Sequence, residues 1–389
     1  MTNTEYRLKG VNLGGWLLME GYILGGRNIP ESEFKRAFAG LNGKKELTVF
    51  EKIFRDNFIQ EDDIKNIASL GANAVRLPFN FRLIEKKPYC YIEEGFLYIE
   101  RILRWADKYN IAVVLDLHAA PGAQNCDWHA DSSGKADFWN KKAYRDRTVR
   151  LWQEIAARFK DSSSLAGYDI INEPVLGKRS VNILKNFYSK AIKVIRAIDK
   201  KHTIFLEGDI WAQRIDFLRD LISDNISISV HTYQPLEYVF NFTPQNKFPG
   251  DIKKEKWSKD NIYKYLEPFW KFSKDNNVRI LVGEFGINWR GGFYGEAQWL
   301  DTILSAFKDY GFDYTYWTYK AIANHVFPDG IYQYVDNSSY IRREGPVYGW
   351  ENYIGLWKKE KTKIKDFWNT KNYTLNKKIA ETLSRHFRD

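Results

Sequence analysis

Two glutamates stand where apolar, strand-like runs of the sequence end. Glu173 closes such a run in YDIINEPV (168–175), and Glu284 closes another in ILVGEFGI (280–287). Cleavage of a glycosidic bond needs two carboxyl groups, because one protonates the leaving oxygen while the other attacks the sugar or activates water. A single glutamate at a strand end is more often a salt-bridge partner or a helix cap. Two of them facing each other across one pocket predict glycoside cleavage.

The elements that must position these acids alternate regularly along the 389 residues. Eight short runs rich in β-branched and aromatic residues predict strands, and segments with helical periodicity separate most of them. This alternation predicts parallel pairing and an α/β fold of the TIM-barrel type, (β/α)8, which needs about 250 residues before insertions. The predicted strands are 7–13, 72–78, 111–118, 165–172, 202–208, 226–233, 278–285 and 312–319, and the clearest helices are 59–71, 96–110, 181–201 and 296–311.

An open, doubly wound sheet is the alternative arrangement of such elements. It predicts a glycine-rich phosphate loop after an early strand, and GVNLGGW (10–16) lacks the spacing of that loop. No linker or repeat interrupts the pattern, so residues 1–389 are predicted to form a single domain. Long segments follow the third and eighth predicted strands, at 119–145 and 321–357. Because loops after barrel strands build the active-site face, these two are expected to shape the pocket.

Composition narrows the classes of ligand. The net charge is +10, but Lys and Arg are mixed with acids, as in DIKKEKWSKD (251–260), which indicates a solvated surface and no nucleic-acid site. Aromatic residues reach 16%, including 14 Trp; most are expected in the core, and those at strand ends are candidates for stacking on sugar rings. The sequence has no histidine or cysteine spacing of a metal site and no nucleotide or redox motif. No metal and no cofactor are therefore expected.

The two cysteines, Cys90 and Cys126, are expected to be free thiols, with a single bridge between them as the alternative. The N-terminal sequence has no basic head followed by an apolar run, and no stretch of about 18 apolar residues occurs. The expectations are residence in the cytoplasm, with secretion as the alternative if a leader was removed, and no insertion into a membrane.

The motifs around the two glutamates resemble those of glycoside hydrolase family 5, which belongs to a clan of retaining glycosidases with a barrel fold. NEP at 172–174 follows the fourth predicted strand, and GEFG at 283–286 follows the seventh. The resemblance implies that Glu173 is the catalytic acid/base and that Glu284 is the nucleophile. It extends over most of the chain, since further family positions match in order.

Four further residues match supporting positions of the family. Arg76 in NAVRLPF corresponds to the arginine beneath the nucleophile, where its charge would keep Glu284 ionised. Asn172 corresponds to the residue that binds the 2-hydroxyl of the sugar, a contact that strengthens in the transition state. His231 and Tyr233 in VHTYQP correspond to the His-x-Tyr pair after the sixth strand, whose tyrosine hydroxyl would hold the nucleophile.

Substrate-binding positions resemble those of the exo-β-1,3-glucanase and β-glucosidase branch. The stretch KGVNLGGWLLMEGY (9–22) is similar to the first strand of that branch, and Glu20 takes the place of an acid that binds the far hydroxyls of the terminal sugar. His118 and Asn125 in HAAPGAQN match sugar-lining positions of the third-strand loop. Trp317 in YTYWTY matches the platform under the sugar.

Two loops depart from that branch. In CDWHADSSGKADFW, Asp127, Trp128 and His129 are candidates for a different leaving-group site, and the last loop, 327–353, also differs. The expected function is a retaining, exo-acting β-glucosidase or exo-β-1,3-glucanase, whose partner is a β-glucoside or β-glucan oligosaccharide. An endo-β-glucanase or β-mannanase with the same catalytic pair is one alternative, and a non-catalytic carbohydrate-binding barrel is another.

Overall fold

The computed structural model describes residues 7–334 and 349–389. Eight parallel strands form a closed barrel in which each strand pairs with its neighbours in sequence and the last pairs with the first. Each predicted strand overlaps one of them, so the predicted (β/α)8 barrel is confirmed. The barrel strands are β1 Lys9–Asn12, β2 Ala74–Asn80, β3 Ala112–Ala119, β4 Leu165–Asp169, β5 Thr203–Glu207, β6 Ile226–His231, β7 Arg279–Phe285 and β8 Asp313–Tyr316.

The barrel strands are apolar because both faces of the sheet are covered. β2 and β6 are buried along their whole length. A parallel sheet with helices outside and packed side chains inside has no face that meets water, so its strands read as continuous apolar runs. A polar residue within such a run, such as Arg76 in β2, needs partners inside the barrel.

Helices lie between most of the barrel strands. Those of eight residues or more are α1 Glu31–Asn42, α2 Lys44–Phe58, α3 Glu61–Ser69, α4 Glu93–Lys108, α5 Lys142–Phe159, α6 Asn182–Arg196, α7 Lys259–Asn276, α8 Glu296–Tyr310, α9 Trp350–Phe367 and α10 Lys377–Arg388. The four predicted helices correspond to α3, α4, α6 and α8. Between β5 and β6, a stretch that is fully described, only the short turns Asp209–Ala212 and Asp216–Leu221 occur, so this unit lacks a regular helix.

The outer layer uses much of the aromatic content. Trp350 of α9 stacks on Phe34 of α1 with ring centroids 4.7 Å apart, and Trp357 meets Phe50 of α2 at 5.0 Å. Both tryptophans are fully buried. Such ring pairs contribute about 0.5–1.5 kcal/mol each beyond the burial of their area. The prediction that most aromatic residues belong to the core is confirmed for this cluster.

The segment after β3 keeps its predicted irregular character. Within 119–145, a 3-10 turn at Trp128–Ala130 and a short helix at Asp137–Asn140 precede α5. Two antiparallel hairpins also decorate the barrel, one formed by Glu85–Lys87 with Cys90–Tyr91 and one by Gly250–Ile252 with Glu255–Trp257.

The prediction of a loop at 321–357 holds for residues 323–331 and is wrong for most of the rest of its described part. Tyr332–Tyr334 is a strand that pairs with Lys320–Ile322 and Thr374–Leu375, and α9 already begins at Trp350. Strands of two or three residues are too short to show a period in the sequence. Residues 335–348 lie outside the described part of the chain.

Both cysteines, Cys90 and Cys126, are free and exposed. Among residues 7–334 and 349–389, no helix is both long enough and apolar enough to span a membrane.

Gly10 in β1 pairs with Ala74 of β2 and lies against its backbone. A Cβ at Gly10 would lie 1.9 Å from the carbonyl oxygen of Ala74. Because a close-packed barrel leaves the strands little room to move apart, we expect Gly10→Ala to lower the free energy of unfolding by about 3 kcal/mol. Urea denaturation followed by tryptophan fluorescence measures this loss.

Gly40→Ala is the matched control. Gly40 is exposed on α1, and a Cβ at this position meets no atom within 4 Å. Since alanine restricts the unfolded chain more than glycine does, this variant should be more stable by about 0.5–1 kcal/mol. Equal effects of the two substitutions would contradict the close approach of β1 and β2.

Candidate active site

One buried arginine organises the mouth of the barrel. Arg76 is fully buried, and its Nη1 donates to Oε1 of Glu284 at 2.9 Å. Its Nε donates to Oδ2 of Asp169 at 3.0 Å, and its Nη2 donates to Oδ1 of Asn172 at 2.8 Å and to Oε1 of Glu207 at 3.1 Å. The planar guanidinium keeps its proton and binds several acceptors at once. Residues in or after β2, β4, β5 and β7 are thus joined through one side chain.

Three fully buried acids around Arg76 are absent from the residues predicted above. Asp116, Asp169 and Glu207 bring carboxylate oxygens within 4.8 Å of one another, and Oδ2 of Asp116 is 3.1 Å from Nη2 of Arg76. Burial raises the pKa of Asp116 to about 8 against the attraction of Arg76, and burial beside Glu207 raises the pKa of Asp169. A signal was available in the sequence, since each acid interrupts an apolar run, in VVLDLH, AGYDII and IFLEGD.

Glu173 is held by its backbone and by two histidines. It has a left-handed backbone with φ 48°, and its N–H donates to Oε2 of Glu207 at 2.5 Å. Its Oε1 is 2.8 Å from Nδ1 of His231, and its Oε2 is 3.5 Å from Nε2 of His129. Burial raises the pKa of Glu173, but the hydrogen bond and charge of His231 outweigh burial and lower this pKa to about 2.

His231 is the cation that pairs with the carboxylate of Glu173. Burial lowers the pKa of His231, but the charges of Glu207 and Glu284 outweigh burial and hold it well above its usual value. This environment therefore favours a carboxylate at Glu173 and an imidazolium at His231, with one acidic proton shared between two groups.

Glu284 lies at the end of β7 and is held from two sides. Arg76 binds its Oε1, and the hydroxyl of Tyr233 donates to its Oε2 at 2.8 Å. Burial and the charge of Glu284 raise the pKa of Tyr233 well above its usual value, so the phenol keeps its proton and remains a donor. Glu284, Glu173 and His231 each place one polar atom within 4.8 Å of the other two. Carboxyl oxygens that approach within 4.8 Å fit the separation of about 5–5.5 Å in retaining glycosidases better than the 6.5–9.5 Å or so of inverting ones.

A cavity of about 430 Å³ opens onto the two glutamates. Its lining includes these residues from the sequence analysis: Glu20, His118, Asp127, Trp128, His129, Glu173, His231, Tyr233, Glu284 and Trp317. It also includes these residues that sequence analysis did not name: Tyr22, Trp211, Gln213, Gln234, Leu236, Phe240, Phe242, Phe327 and Pro328. The second group lies in loops, where no periodic pattern indicates which side chains face inward.

His118 and Trp317 form one wall of this cavity. Their rings are nearly parallel, at 15°, with centroids 5.4 Å apart. Burial lowers the pKa of His118 to about 3, so its ring is neutral, and its Nδ1 lies 2.7 Å from Oδ2 of Asp116. The indole N–H of Trp317 donates to the hydroxyl of Tyr22. An aromatic wall with a few fixed polar groups is typical of a small-molecule site.

Glu20 adds a further carboxyl group to the cavity, which Glu173, Glu284 and Asp127 also line. Its side chain is buried, and its Oε1 has no hydrogen-bond partner within the described residues. Burial raises the pKa of Glu20 to about 8, with Glu284 and Glu173 adding to the shift and His129 opposing it. Because a buried polar atom without a partner is unfavourable, a hydroxyl group of a bound ligand is a suitable partner for Oε1.

The loop after β3 places Asp127 and His129 beside Glu173. Nε2 of His129 lies 3.6 Å from Oδ2 of Asp127, and the indole N–H of Trp211 donates to the same oxygen at 2.8 Å. Burial lowers the pKa of His129, but Asp127 and Glu173 outweigh burial and raise it to about 9. The ring is therefore charged at neutral pH. Trp128 packs edge-on against His129 with ring centroids 5.7 Å apart.

Two residues predicted to bind the sugar are not among the cavity-lining side chains. Nδ2 of Asn125 donates to the carbonyl oxygen of Glu173 at 2.9 Å, and its Oδ1 accepts from the N–H of Asp127 at 2.9 Å. Both ends of its amide thus bind backbone, which places Asn125 as a support for Glu173. Asn172 is fully buried as well, and its Oδ1 accepts from Arg76.

The three acids around Arg76 have the spacing of a metal-binding group. The guanidinium already lies among them and supplies the positive charge that a cation would bring. Glu173, His231 and Glu284 have a similar spacing, but Arg76 and Tyr233 already donate to the two oxygens of Glu284. The absence of a metal and of a cofactor from the reaction stays a prediction.

We expect Arg76→Met to lower the free energy of unfolding by about 3–5 kcal/mol at pH 7, because it leaves the surrounding carboxylates buried without their cation. In the variant, these carboxyl groups have higher pKa values in the folded state than in the unfolded chain. Folding therefore takes up protons, and the loss of stability shrinks as the pH falls from 7 towards 4. Urea denaturation at several pH values measures both the loss and its pH dependence.

Arg385→Met provides the comparison. Arg385 binds Asp301 at 2.6 Å, and both side chains are exposed, at 60% and 47%. Loss of an exposed ion pair costs at most about 1 kcal/mol. If Arg76→Met were no more destabilising than Arg385→Met, the organising role of the buried guanidinium would be wrong.

Known proteins share this sequence pattern. The family described as Cellulase (glycosyl hydrolase family 5) matches residues 31–322. A beta-xylosidase from Phanerodontia chrysosporium is 36% identical over 245 residues, which are 61% of this chain and 50% of that protein. Endoglucanase C from Acetivibrio thermocellus is 25% identical over 352 residues, 82% of this chain and 92% of that protein. A glucan 1,3-beta-glucosidase from Pichia angusta is 29% identical over 202 residues, 49% of this chain and 46% of that protein.

The chain thus spans about half the length of the beta-xylosidase and of the glucan 1,3-beta-glucosidase. Among solved structures, the endoglucanase Cel5A from Thermotoga maritima has a TM-score of 0.64 at 19% identity and 96% coverage of both chains, a likeness of fold. The family match covers most of the chain, and the two glutamates of the expected motifs meet in one cavity. We conclude that this chain is a glycoside hydrolase that belongs to glycosyl hydrolase family 5.

Proposed function

We propose that the protein is a retaining, exo-acting β-glucosidase or exo-β-1,3-glucanase that removes terminal β-glucosyl residues. The observation that carries this proposal is Glu20, a buried carboxyl group in the same cavity as Glu173 and Glu284, with Oε1 unpartnered in the described chain. A glycosidase needs two carboxyl groups for the chemistry. Glu20, whose Oε1 is free to accept a hydrogen bond, is therefore assigned to recognition of the hydroxyl groups at the end of the sugar.

In the first step, Glu284 attacks the anomeric carbon, and the bond from this carbon to the leaving oxygen breaks. The proton that Glu173 shares with His231 passes to that oxygen, so the alcohol leaves neutral while the sugar stays bound as an ester of Glu284. Before the attack, the hydrogen bonds from Arg76 and Tyr233 hold the carboxylate of Glu284 in position.

In the second step, water attacks the same carbon from the side that the alcohol has left. Glu173 accepts a proton from this water, the ester bond to Glu284 breaks, and β-glucose leaves. Two inversions at one carbon give net retention, which agrees with the close approach of the two carboxyl groups.

The shape of the cavity supports exo-action. Phe327, from the loop after β8, contacts the rings of Tyr22, Trp128 and Phe240 at centroid distances of 5.0, 5.5 and 5.4 Å. These rings come from the loops after β1, β3 and β6. Contacts that bridge four loops favour a closed pocket over the open groove that an endo-enzyme needs for a long chain.

Some relatives have the names of exo-acting enzymes and others the names of endo-acting enzymes. The glucan 1,3-beta-glucosidase has the name that fits the proposal, whereas Endoglucanase C matches a larger share of this chain, 82% against 49%. This larger match makes an endo-β-glucanase or β-mannanase the second candidate. The beta-xylosidase adds xylose as an alternative terminal sugar.

Product analysis tests exo-action and the role of Glu20 together. We expect laminaritetraose to yield free glucose first, and an aryl β-glucoside to be cut faster than the aryl β-xyloside. Glu20→Ala should lower kcat/KM for the glucoside about 10- to 100-fold, since it removes the hydrogen bonds that a buried carboxyl group makes to the sugar hydroxyls. Chromatography of samples taken over time measures the products. Early release of oligosaccharides of mixed length would favour the endo alternative.

The catalytic pair is tested by two alanine variants. Glu284→Ala should abolish turnover of an aryl β-glucoside, and azide should restore it with an α-glucosyl azide product, because azide enters from the side of the missing carboxylate. Glu173→Ala should lose about 10²–10⁴-fold on substrates with poor leaving groups and less on activated ones, because general acid help matters most where the leaving group is basic. Rates and product anomers, by absorbance and NMR, measure these effects.

Glu255→Ala is the control for the two variants, since Glu255 is exposed in a hairpin of the outer surface. It should keep full activity. Activity close to that of the unchanged protein in either Glu284→Ala or Glu173→Ala would refute the assigned roles.

A further inference from the structure

Exposed apolar side chains gather at the entrance of the catalytic cavity. Of the nine large apolar side chains that are exposed in the described chain, Trp211, Leu236 and Phe242 line this cavity, and Ile210 adjoins Trp211. Their exposed fractions are 40%, 38%, 47% and 44% in that order. Exposed apolar groups that converge on a cavity are typical of a binding surface. We name these four residues the apolar collar.

A strained backbone segment presents the indole of the collar. Ile210, Trp211 and Ala212 have φ values of 59°, 51° and 61°, and such left-handed conformations are unfavourable for residues with a Cβ. Asp209 anchors the segment, because its N–H donates to the carbonyl oxygen of Arg214 at 3.0 Å and its Oδ2 accepts from the side chain of Arg214 at 2.6 Å. Backbone strain that a fold maintains at a cavity entrance is characteristic of functional segments.

The collar lies on the side of the cavity where the leaving group departs. The indole of Trp211 donates to Asp127, and His129 lies between Asp127 and Oε2 of Glu173, at 3.6 and 3.5 Å from their oxygens. His129 and Asp127 thus connect the carboxyl group of Glu173 to the collar. Since Glu173 protonates the leaving oxygen in the proposed reaction, the group attached to that oxygen extends towards Trp211.

The other part of the collar comes from the loop after β6. Phe242 packs against the rings of Phe240 at 5.6 Å and Phe327 at 6.3 Å, while its own ring stays 47% exposed. Leu236 comes three positions after Tyr233 in the chain, and its N–H donates to Oε1 of Gln234 at 3.2 Å. A second sugar would need polar partners around its rim, and the four collar side chains offer only the indole N–H, which already binds Asp127. The amide oxygens of the neighbouring Gln213 and Gln234 already accept from the hydroxyl of Tyr265 and from the N–H of Leu236.

From this geometry we infer that the apolar collar binds the aglycone, and that the preferred substrates are β-glucosides of apolar alcohols. This inference rests on the proposed β-glucosidase function and names the substrate class for it. The terminal sugar occupies the polar part of the cavity near Glu20, and an alkyl, aryl or polycyclic group contacts Trp211, Leu236 and Phe242. A β-1,3-linked disaccharide fits the same catalytic pair but leaves the collar in contact with hydroxyl groups.

A series of n-alkyl β-glucosides tests the collar, with methyl, butyl, hexyl and octyl chains kept below their micelle concentrations. Butanol and octanol have nearly equal acidity, so differences among the longer chains report apolar contact and not leaving-group chemistry. Full burial of one methylene group strengthens binding about fourfold, and half burial strengthens it about twofold. We expect kcat/KM to rise at least about tenfold from butyl to octyl and to exceed that for laminaribiose.

Trp211→Ala and Phe242→Ala should flatten this dependence, so that the octyl-to-butyl ratio of kcat/KM falls to about threefold or less. Phe293→Ala is the matched control, because Phe293 is 82% exposed and does not line the cavity. It should retain both the ratio and the activity on methyl β-glucoside. Circular dichroism of each variant verifies that the fold is kept.

Two outcomes overturn the inference and can be told apart. The collar is refuted, and the proposed β-glucosidase stays intact, if methyl β-glucoside or β-glucosyl fluoride is hydrolysed but kcat/KM does not change along the alkyl series. A preference for laminaribiose over octyl β-glucoside has the same meaning. If neither β-glucosyl fluoride nor any other glucoside in the series is turned over, the proposed function fails and the inference fails with it.

Discussion

The cavity depends on the interaction of one guanidinium with several buried carboxyl groups. Arg76 keeps its proton in any protein environment, and it is fully buried, so neighbouring acids must match its charge. It donates to Asp169 and Glu207 as well as to Glu284, which makes the proposed nucleophile one member of a charge network. The network has more acids than cations, and burial raises the pKa of Asp116 and of Asp169. Protons therefore neutralise the part of the negative charge that Arg76 does not match.

The barrel brings these groups together because the carboxyl ends of its parallel strands meet at one edge. Arg76 and Glu284 are 208 positions apart in the chain and yet form a hydrogen bond of 2.9 Å. The proposed nucleophile and its guanidinium partner are thus positioned by strands, which packing holds rigid. Recognition is positioned by loops, which contribute Glu20, Trp128 and Trp211 to the cavity. This division agrees with the different activities in the names of the relatives.

The division also determines what the sequence could predict. The barrel strands were predictable because sheets covered on both faces leave unbroken apolar runs. Arg76 and Tyr233 stand in such runs or directly after them, and both bind Glu284 as the family resemblance implies. The position of Trp211 could not be predicted, since it depends on three left-handed residues that give no periodic signal. Asn125 was assigned to the sugar by the resemblance of its loop, and its actual partner, the backbone of Glu173, is 48 positions away and leaves no signal in the sequence.

The low pKa of Glu173 is compatible with its proposed role as a proton donor once His231 is included. Glu173 and Nδ1 of His231 are 2.8 Å apart, so one acidic proton serves the pair. In the proposed reaction, the attack removes the negative charge of Glu284, and transfer of the shared proton to the leaving oxygen removes the positive charge of His231. The two losses cancel, which leaves Glu173 ionised as the base that the second step needs. Because an uncompensated change of charge is most costly where water is excluded, this balance allows one carboxyl–imidazole pair to serve both steps.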